Sequence, residues 1–448
     1  MTRWPIQDAA SICRDSRRIQ AILHIHGICS RIHSVESGGG AQVQESETFL
    51  RTYRIQLYQY HVLLLDRAEG TGVWLNHQVS NQEEQIFESI PFSSEDLEQR
   101  RVVQLAIRSI YALGLDYGSV MVGVNSVANM TILEVLPEFY TKDGYQQLEQ
   151  EKLSDNLRVG ERVGLSSHQV MLGADPEFAL RDGEGKIGVA SRYLEKQGVI
   201  GYDSARLREL MAHNLHPLVE IRPQPSHSPR EVFRHILQAM RIGLKKIPAN
   251  LEWIAGGMPF FGYPIGGHLH FSGIKLSFAL LRCMDAFLAL PLALIEDEGC
   301  KRRRSRYGFL GDYREQPYGG FEYRTLPSWL VSPLVTQGVL ALAKVVATHC
   351  DQLTQPAITV SLNHSLSKAY YQGDKEKVRS AVILLWRNLL KLPMYREYQL
   401  ELDAFYHYIM SNTRWNNEQD LRLEWGLVPH STTPAKHAII LNEKMPSR

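Results

Sequence analysis

Four short segments of this chain carry residues able to do chemistry, and they share one design. In "GADPEFAL", Asp175 and Glu177 alternate with Ala174, Pro176 and Phe178. In "PLVEIRP", Glu220 and Arg222 flank Ile221; in "GGHLHFSG", His268 and His270 flank Leu269; in "GGFEYRTL", Glu322 and Arg324 flank Tyr323. Residues two apart on a strand point to one face. Each segment therefore reads as a strand with a polar pair on one side and apolar packing on the other. Carboxylate oxygens suit hard divalent cations, and an imidazole can join them. Arginine forks match phosphate oxygens. Together these types describe a metal–nucleotide site. The solvated face of an antiparallel sheet alternates in the same way and stands as the other reading, although such a face would be expected to carry lysine.

The elements around these segments follow from pattern. "SPREVFRHILQAMRIGL" predicts a helix with Ser228 as N-cap, Pro229 at its first position and Glu231 completing a capping box. Val232, Phe233, Ile236, Leu237 and Met240 form its core stripe. The glycine run "AGGMPFFGYPIGG" either brings backbone close to a ligand or is an ordinary loop. "KRRRSRYGFLGDYR" reads as a solvated basic loop from which Arg306 and Arg314 could reach a phosphate or a substrate carboxylate.

Upstream, "YRIQLYQYHVLLL" reads as a strand and "SSEDLEQRRVVQLAIRSIYALG" as a helix capped by serine and ended at Gly114. "GSVMVGVN" and "NMTILEVLPEF" read as a hairpin. "AILHIHGICS" places His24 and His26 on one strand face with no carboxylate motif nearby. The polar stretch after Tyr140 looks like a linker. Beyond residue 333, "LVTQGVLALAKVVATHC" and "DKEKVRSAVILLWRNLLKLP" have helical spacing. The expected organisation is an N-terminal domain over 1–145, a linker over 146–166, a catalytic core over 167–345 and a helical C-terminal part over 346–448.

The chain has 448 residues, 44% hydrophobic and 22% charged, with a net charge of +1. That balance gives no electrostatic reason to expect nucleic acid or a membrane surface. Five scattered cysteines without a CxxC pair argue for reduced thiols. The start of the chain lacks the apolar core of a signal peptide, and Arg282, Asp285 and Pro291 interrupt the most apolar stretch. A soluble, cytoplasmic protein is expected.

In order, "GADPEF", "VEIRPQPS", "GGHLHFSG", "YGFLGDYR" and "GGFEYRTLPSWLVSP" resemble the motifs of the amidoligases. These are phage-type carboxylate–amine ligases, also found in spore-forming bacteria, of the glutamine synthetase and glutamate–cysteine ligase superfamily. The resemblance covers roughly 168–345. It implies an α+β fold: a glutamine synthetase-like curved antiparallel sheet with flanking helices, plus a smaller α/β N-terminal domain. It also implies ATP and Mg2+, or Mn2+ in its place, as cofactors. By this similarity Asp175, Glu177, Glu220, His268 and Glu322 hold metal, with Asp175 in place of a glutamate. Glu177, Glu322 and Arg324 are the catalytic residues. Arg222, His270, Ser272, Arg306, Arg314 and Arg324 contact the nucleotide. Glutamine synthetase has a further carboxylate about eight residues before Glu220, where this chain reads "LMAHNLH", so the number of metals stays open. Asp203 matches a family position of unassigned role.

"ALGLDYGSVMVGVNSVANMTILEVLPEF" resembles the end of an ATP-grasp domain. Its three magnesium-binding positions are Met121, Glu134 and Leu136, so two ligands are missing, and all ATP chemistry is expected beyond residue 165. The implied reaction activates a carboxylate as an acyl phosphate and passes it to an amine. Family association suggests a peptide or cell-envelope substrate. Two alternatives remain: a ligase fold serving as a non-catalytic scaffold, and a metal-dependent amidohydrolase using His-x-His. A cupin would want a glutamate soon after "HLH", where "FSGIKL" stands.

Overall fold

The computed structural model describes residues 6–32, 49–69, 86–160, 169–205, 215–304 and 306–428. These form two antiparallel sheets with helices around them, an α+β arrangement. The first sheet comprises β1 (Phe49–Tyr58), β2 (His61–Glu69), β3 (Glu88–Ser89), β4 (Tyr117–Asn125) and β5 (Met130–Leu136), in the order β3-β2-β1-β4-β5. Every strand pair in it is antiparallel. The N-terminal region is thus α+β rather than α/β, because its strands pair antiparallel.

Local sequence accounts for most of this region, with corrections. The run expected as one strand is the β1–β2 hairpin, broken where Gln59 adopts a left-handed φ of 53°. The helix Leu97–Ala112 is capped by Asp96, not by the serines, through the Glu98 and Gln99 amides at 2.8 and 3.0 Å. Gly114 follows it with φ 79°, a conformation that costs a glycine little. His24 lies on the helix Ser16–Ile25 and His26 caps its C-terminus, so the expected strand is absent there. Lys142–Gly160 is a helix over most of the stretch expected as linker.

The second sheet holds β6 (Met171–Arg181), β7 (Ile200–Tyr202), β8 (Leu218–Ile221), β9 (Glu252–Ile254), β10 (Gly267–Ser272), β11 (Tyr313–Glu315) and β12 (Phe321–Tyr323). Its order is β11-β12-β10-β6-β8-β7, with β9 also pairing to β6. One face buries Leu172, Ala174, Phe178 and Leu180 of β6. The helix Pro229–Lys246 packs its stripe into the same core, where Val232, Phe233, Ile236 and Met240 are buried. Phe178 stacks on Trp253 with ring centroids 4.7 Å apart. Each such side chain contributes roughly 1.5–3 kcal/mol by leaving water. The expected capping box does not form: Ser228 makes no side-chain cap, and Glu231 accepts from Ser226 instead.

One hydrophobic cluster runs through both regions, from Ile19 and Val120 to Phe178 and Val345. The β1–β2 turn docks on the second region, where the Gln59 side chain accepts from the Phe278 amide at 3.0 Å and the Tyr60 hydroxyl donates to the Leu276 carbonyl at 3.1 Å. Helices Pro333–Thr348 and Lys375–Leu389 lie where their spacing predicts. Among the described residues no single helix is long and apolar enough to cross a membrane.

Candidate active site

The four motif strands are neighbours in one sheet, in the order β12-β10-β6-β8. Register aligns their polar residues: His268 lies opposite Asp175, His270 opposite Glu322, and Glu177 opposite Glu220. Arg222 and Arg324 stand just past the ends of β8 and β12. Period-two alternation puts these residues on one face while their apolar neighbours fill the core on the other.

At the centre, Asp175 is 7% exposed and Glu322 fully buried. His268 Nδ1 lies 3.2 Å from Asp175 Oδ1 and 3.1 Å from Glu322 Oε1. His270 Nε2 lies 3.0 Å from Asp175 Oδ2, and the other nitrogen of this ring is 3.1 Å from the Tyr318 hydroxyl. Glu322 Oε2 accepts from Arg314 Nε at 2.6 Å and Gln316 Nε2 at 2.9 Å, while Arg324 Nε approaches Oε1 at 3.1 Å. Glu177 Oε2 accepts from the Gly266 amide at 2.7 Å, so the glycine run does bring backbone into the site. Arg222 pairs with Glu220.

Burial and charge set the protonation of this cluster. Burial pushes the Glu177 carboxyl up to about 7; the nearby Asp203 and Asp175 charges add to that, against His268 and the Gly266 amide. Burial and the Asp175 charge raise Glu220 to about 8, against the pull of Arg222. For His268, burial opposes the charged ring, but Asp175, Glu177 and Glu322 outweigh it and raise it to about 9. Burial likewise opposes ionisation of Asp175, yet His268 and His270 hold it well below the usual carboxylate range.

The donor set fits a divalent cation. Asp175, His270 and Glu322 each offer one ligand atom, and these atoms all lie within 4.8 Å of one another. That spread suits ligands about 2.0–2.6 Å from a shared ion. Asp175 Oδ1, His270 Nε2 and Glu322 Oε1 are buried without a well-formed hydrogen bond. Uncompensated buried polar atoms are costly, and a cation would satisfy them. His270, expected at the nucleotide, belongs to this group by geometry.

A cleft of about 1080 Å³ opens over the face. Asp175, Glu177, Glu220, His268, Arg306, Arg314 and Arg324 line it, and Asp203 joins the acidic floor. Arg222, His270, Ser272 and Glu322 are not part of that lining. Most of "LMAHNLH" lies outside the described residues. Sequence reasoning missed two features. Arg303 and Arg304, read as part of a solvated loop, are 3% exposed on the helix Glu298–Arg304. The N-terminal region also walls the cleft through Tyr60, His61, Arg100, Gln104 and Arg108. Met121, Glu134 and Leu136 take no part in the lining, and Glu134 accepts from the Tyr140 hydroxyl at 2.6 Å.

A model of the phage phiEco32-like COOH.NH2 ligase-type 2 family matches residues 172–427, more than half of the chain. No curated protein matches it. Among solved structures, the bifunctional glutathione synthetase from Pasteurella multocida is similar at 11% identity and a TM-score of 0.34, over 56% of this chain and 49% of that one. An L-amino acid ligase from Bacillus licheniformis shows 13% identity and a TM-score of 0.26, over 57% and 75% of the two chains. Likeness this faint carries no weight for fold or function. The chain spans about half the length of the glutathione synthetase it matches.

Proposed function

The chain belongs to the phage phiEco32-like COOH.NH2 ligase-type 2 family, and from that premise we propose an ATP- and magnesium-dependent ligase working through an acyl phosphate. A carboxylate–amine ligase leaves no place for the amidohydrolase reading. The observation that supports metal dependence is the convergence of Asp175, His270 and Glu322, whose buried atoms have ion contacts with their neighbours but no well-formed hydrogen bond. We read the seven-stranded sheet as the concave sheet of glutamine synthetase-type ligases.

A carboxylate is a poor electrophile. Its oxygen attacks the γ-phosphorus of ATP, ADP departs, and the resulting acyl phosphate loses phosphate when an amine attacks the carbonyl carbon. The amine's proton passes to a base. Asp175, His270 and Glu322 would hold one magnesium ion, with Glu177, Glu220 and His268 beside them for a second. Bound magnesium neutralises phosphate charge during transfer. Arg324, Arg314 and Arg306 present forked donors along the same cleft. Glu177 and Glu220 change charge near neutral pH, which suits them to take the amine's proton or, once ionised, to hold a cation. Arg222 and Ser272 are assigned to the nucleotide from the resemblance alone. A peptide or cell-envelope acid in the cytoplasm is the substrate setting we favour.

Calorimetric titration of Mg–ATP into the full chain tests this. The wild type is expected to bind only with the metal present, and Glu322→Gln and Glu177→Gln to weaken binding about tenfold or more. Binding that ignores EDTA, or wild-type affinity in both variants, refutes the proposal.

A further inference from the structure

The turn between β11 and β12, "QPYGG" over 316–320, carries two side chains that reach proposed metal ligands, and neither of them lines the cleft. The Gln316 amide donates to the Gly320 carbonyl at 2.9 Å and the Gly319 amide to the Gln316 carbonyl at 3.0 Å, closing a loop of Pro317, Tyr318 and Gly319. Pro317 stands first, where its ring-fixed φ suits a turn, and Gly319 takes a left-handed φ of 78° that a side chain would oppose. Residues that fix the backbone thus bracket Tyr318. Its ring lies over the next residue but one: a Cβ on Gly320 would come 2.4 Å from Tyr318 Cε2. The side chain is 59% exposed, so burial does little to hold it there. Its hydroxyl, however, lies 3.1 Å from His270 Nδ1. The opposite ring atom, His270 Nε2, lies 3.0 Å from Asp175 Oδ2 and is buried without a well-formed hydrogen bond. Gln316 supports Glu322 in the same way, donating to Oε2 at 2.9 Å and leaving Oε1 without a well-formed hydrogen bond.

We propose that Tyr318 is a positioning residue of the metal site, holding His270 in the tautomer whose bare Nε2 faces Asp175 and Glu322. The inference rests on the metal reading of the site and deepens it. An imidazole binds a cation through a nitrogen lone pair, so a ligating Nε2 requires the proton on Nδ1. That Nδ1–H then donates to the Tyr318 oxygen. A metal-bound histidine commonly gives its other N–H to a fixed acceptor, which orients the ring and raises the basicity of the ligating nitrogen. Here the acceptor is a phenol presented by a short, stiff hairpin loop. The same loop anchors a second ligand through Gln316, so one turn sets the geometry of β10 and β12 ligands together.

The test titrates Mn2+ into the full-length protein and reads the free ion by its electron paramagnetic resonance signal. Tyr318→Phe keeps the ring and removes the hydroxyl. Its Mn2+ affinity is expected to fall about tenfold, while thermal melting in EDTA stays at the wild-type temperature. His270→Ala should lose at least as much affinity. Adding Tyr318→Phe to His270→Ala should then cost nothing more, because Tyr318 acts through that ring. The proposal is overturned if Tyr318→Phe binds Mn2+ like the wild type, or if its loss adds in full to that of His270→Ala. A metal-free melting temperature that falls along with the affinity also overturns it, by making the hydroxyl a structural prop. Wild-type affinity in His270→Ala, or a wild type that takes up no Mn2+, strikes the metal reading itself.

Discussion

The Tyr111 hydroxyl donates to Asp285 Oδ2 at 2.7 Å, joining the N-terminal helix to the second region. Oδ1 accepts from the Tyr323 hydroxyl at 2.8 Å and the Gly311 amide at 3.1 Å. Tyr323 stands between Glu322 and Arg324, and Gly311 lies three residues before Arg314. A single buried carboxylate therefore ties the helix Leu97–Ala112, β12 and the turn before β11 together. It does so from the first residue of a π-helical turn, Asp285–Ala289, a form often found at functional sites.

Tyr111→Phe removes the Oδ2 donor while keeping the ring's contact with Phe278. An unsatisfied buried acceptor costs about 1–3 kcal/mol, so the unfolding free energy from urea titration should fall by that amount, with a lower midpoint at unchanged slope. Wild-type stability in this variant would show the tie to be idle.

Asp285 also sets a pH dependence. Burial raises its carboxyl from 3.8 to about 7, against the pull of its three donors and Arg282. The folded chain keeps this proton up to about pH 7, whereas the unfolded chain loses it near pH 4. Between those values the folded state binds more protons, so this group's contribution to stability falls as pH rises and is lowest above about 7. Asp285→Asn lacks the titration. Its stability relative to wild type should therefore improve from pH 5 to about pH 7 and level off above that, and a pH-independent difference would falsify this account.

The site was legible where chemistry and period coincide. Asp175 and Glu177, or His268 and His270, announce a shared strand face within three residues. That β10 pairs with β6 is not written in either segment; the resemblance implied an antiparallel sheet and not this pairing, which the structure supplies. Arg303 and Arg304 were illegible because "KRRRSR" has the composition of a solvated run. Their burial is decided by distant partners, the Thr325 carbonyl for Arg303 and Glu296 with the Tyr370 carbonyl for Arg304. Arg100, Gln104 and Arg108 read as the wet face of an amphipathic helix, and the wall of a water-filled cleft has the same signature. The β1–β2 turn was missed because left-handed Gln59 carries no glycine or asparagine signal.

Gly266 is the backbone counterpart of the site's side chains. A Cβ there would lie 2.2 Å from His268 Nε2, on a ring held between Asp175 and Glu322. Gly266→Ala must displace the ring or the amide that bonds Glu177. Thermal stability should fall modestly, whereas metal-dependent nucleotide binding should drop about tenfold or more. Equal affinity at reduced stability would separate this glycine from the site.

Arg324 tests the phosphate assignment. Its amide donates to the Asp312 carbonyl at 2.8 Å and its own carbonyl accepts from Arg303, so the backbone is held whatever the side chain. The guanidinium lies in the cleft with Nε 3.1 Å from Glu322 Oε1, one of the proposed metal ligands. Lysine keeps the charge but cannot donate from two nitrogens of a fixed plane. If the fork grips the transferring phosphoryl group, Arg324→Lys should lower the rate of ADP release about a hundredfold, within the range seen when a transition-state donor is lost. Mg–ADP, which lacks the transferred group, should bind nearly as before. The exposed Arg387 on the helix Lys375–Leu389 provides the control, since Arg387→Lys removes no cleft contact. Equal turnover in the two variants would remove Arg324 from phosphoryl transfer and leave it as a partner of Glu322 alone.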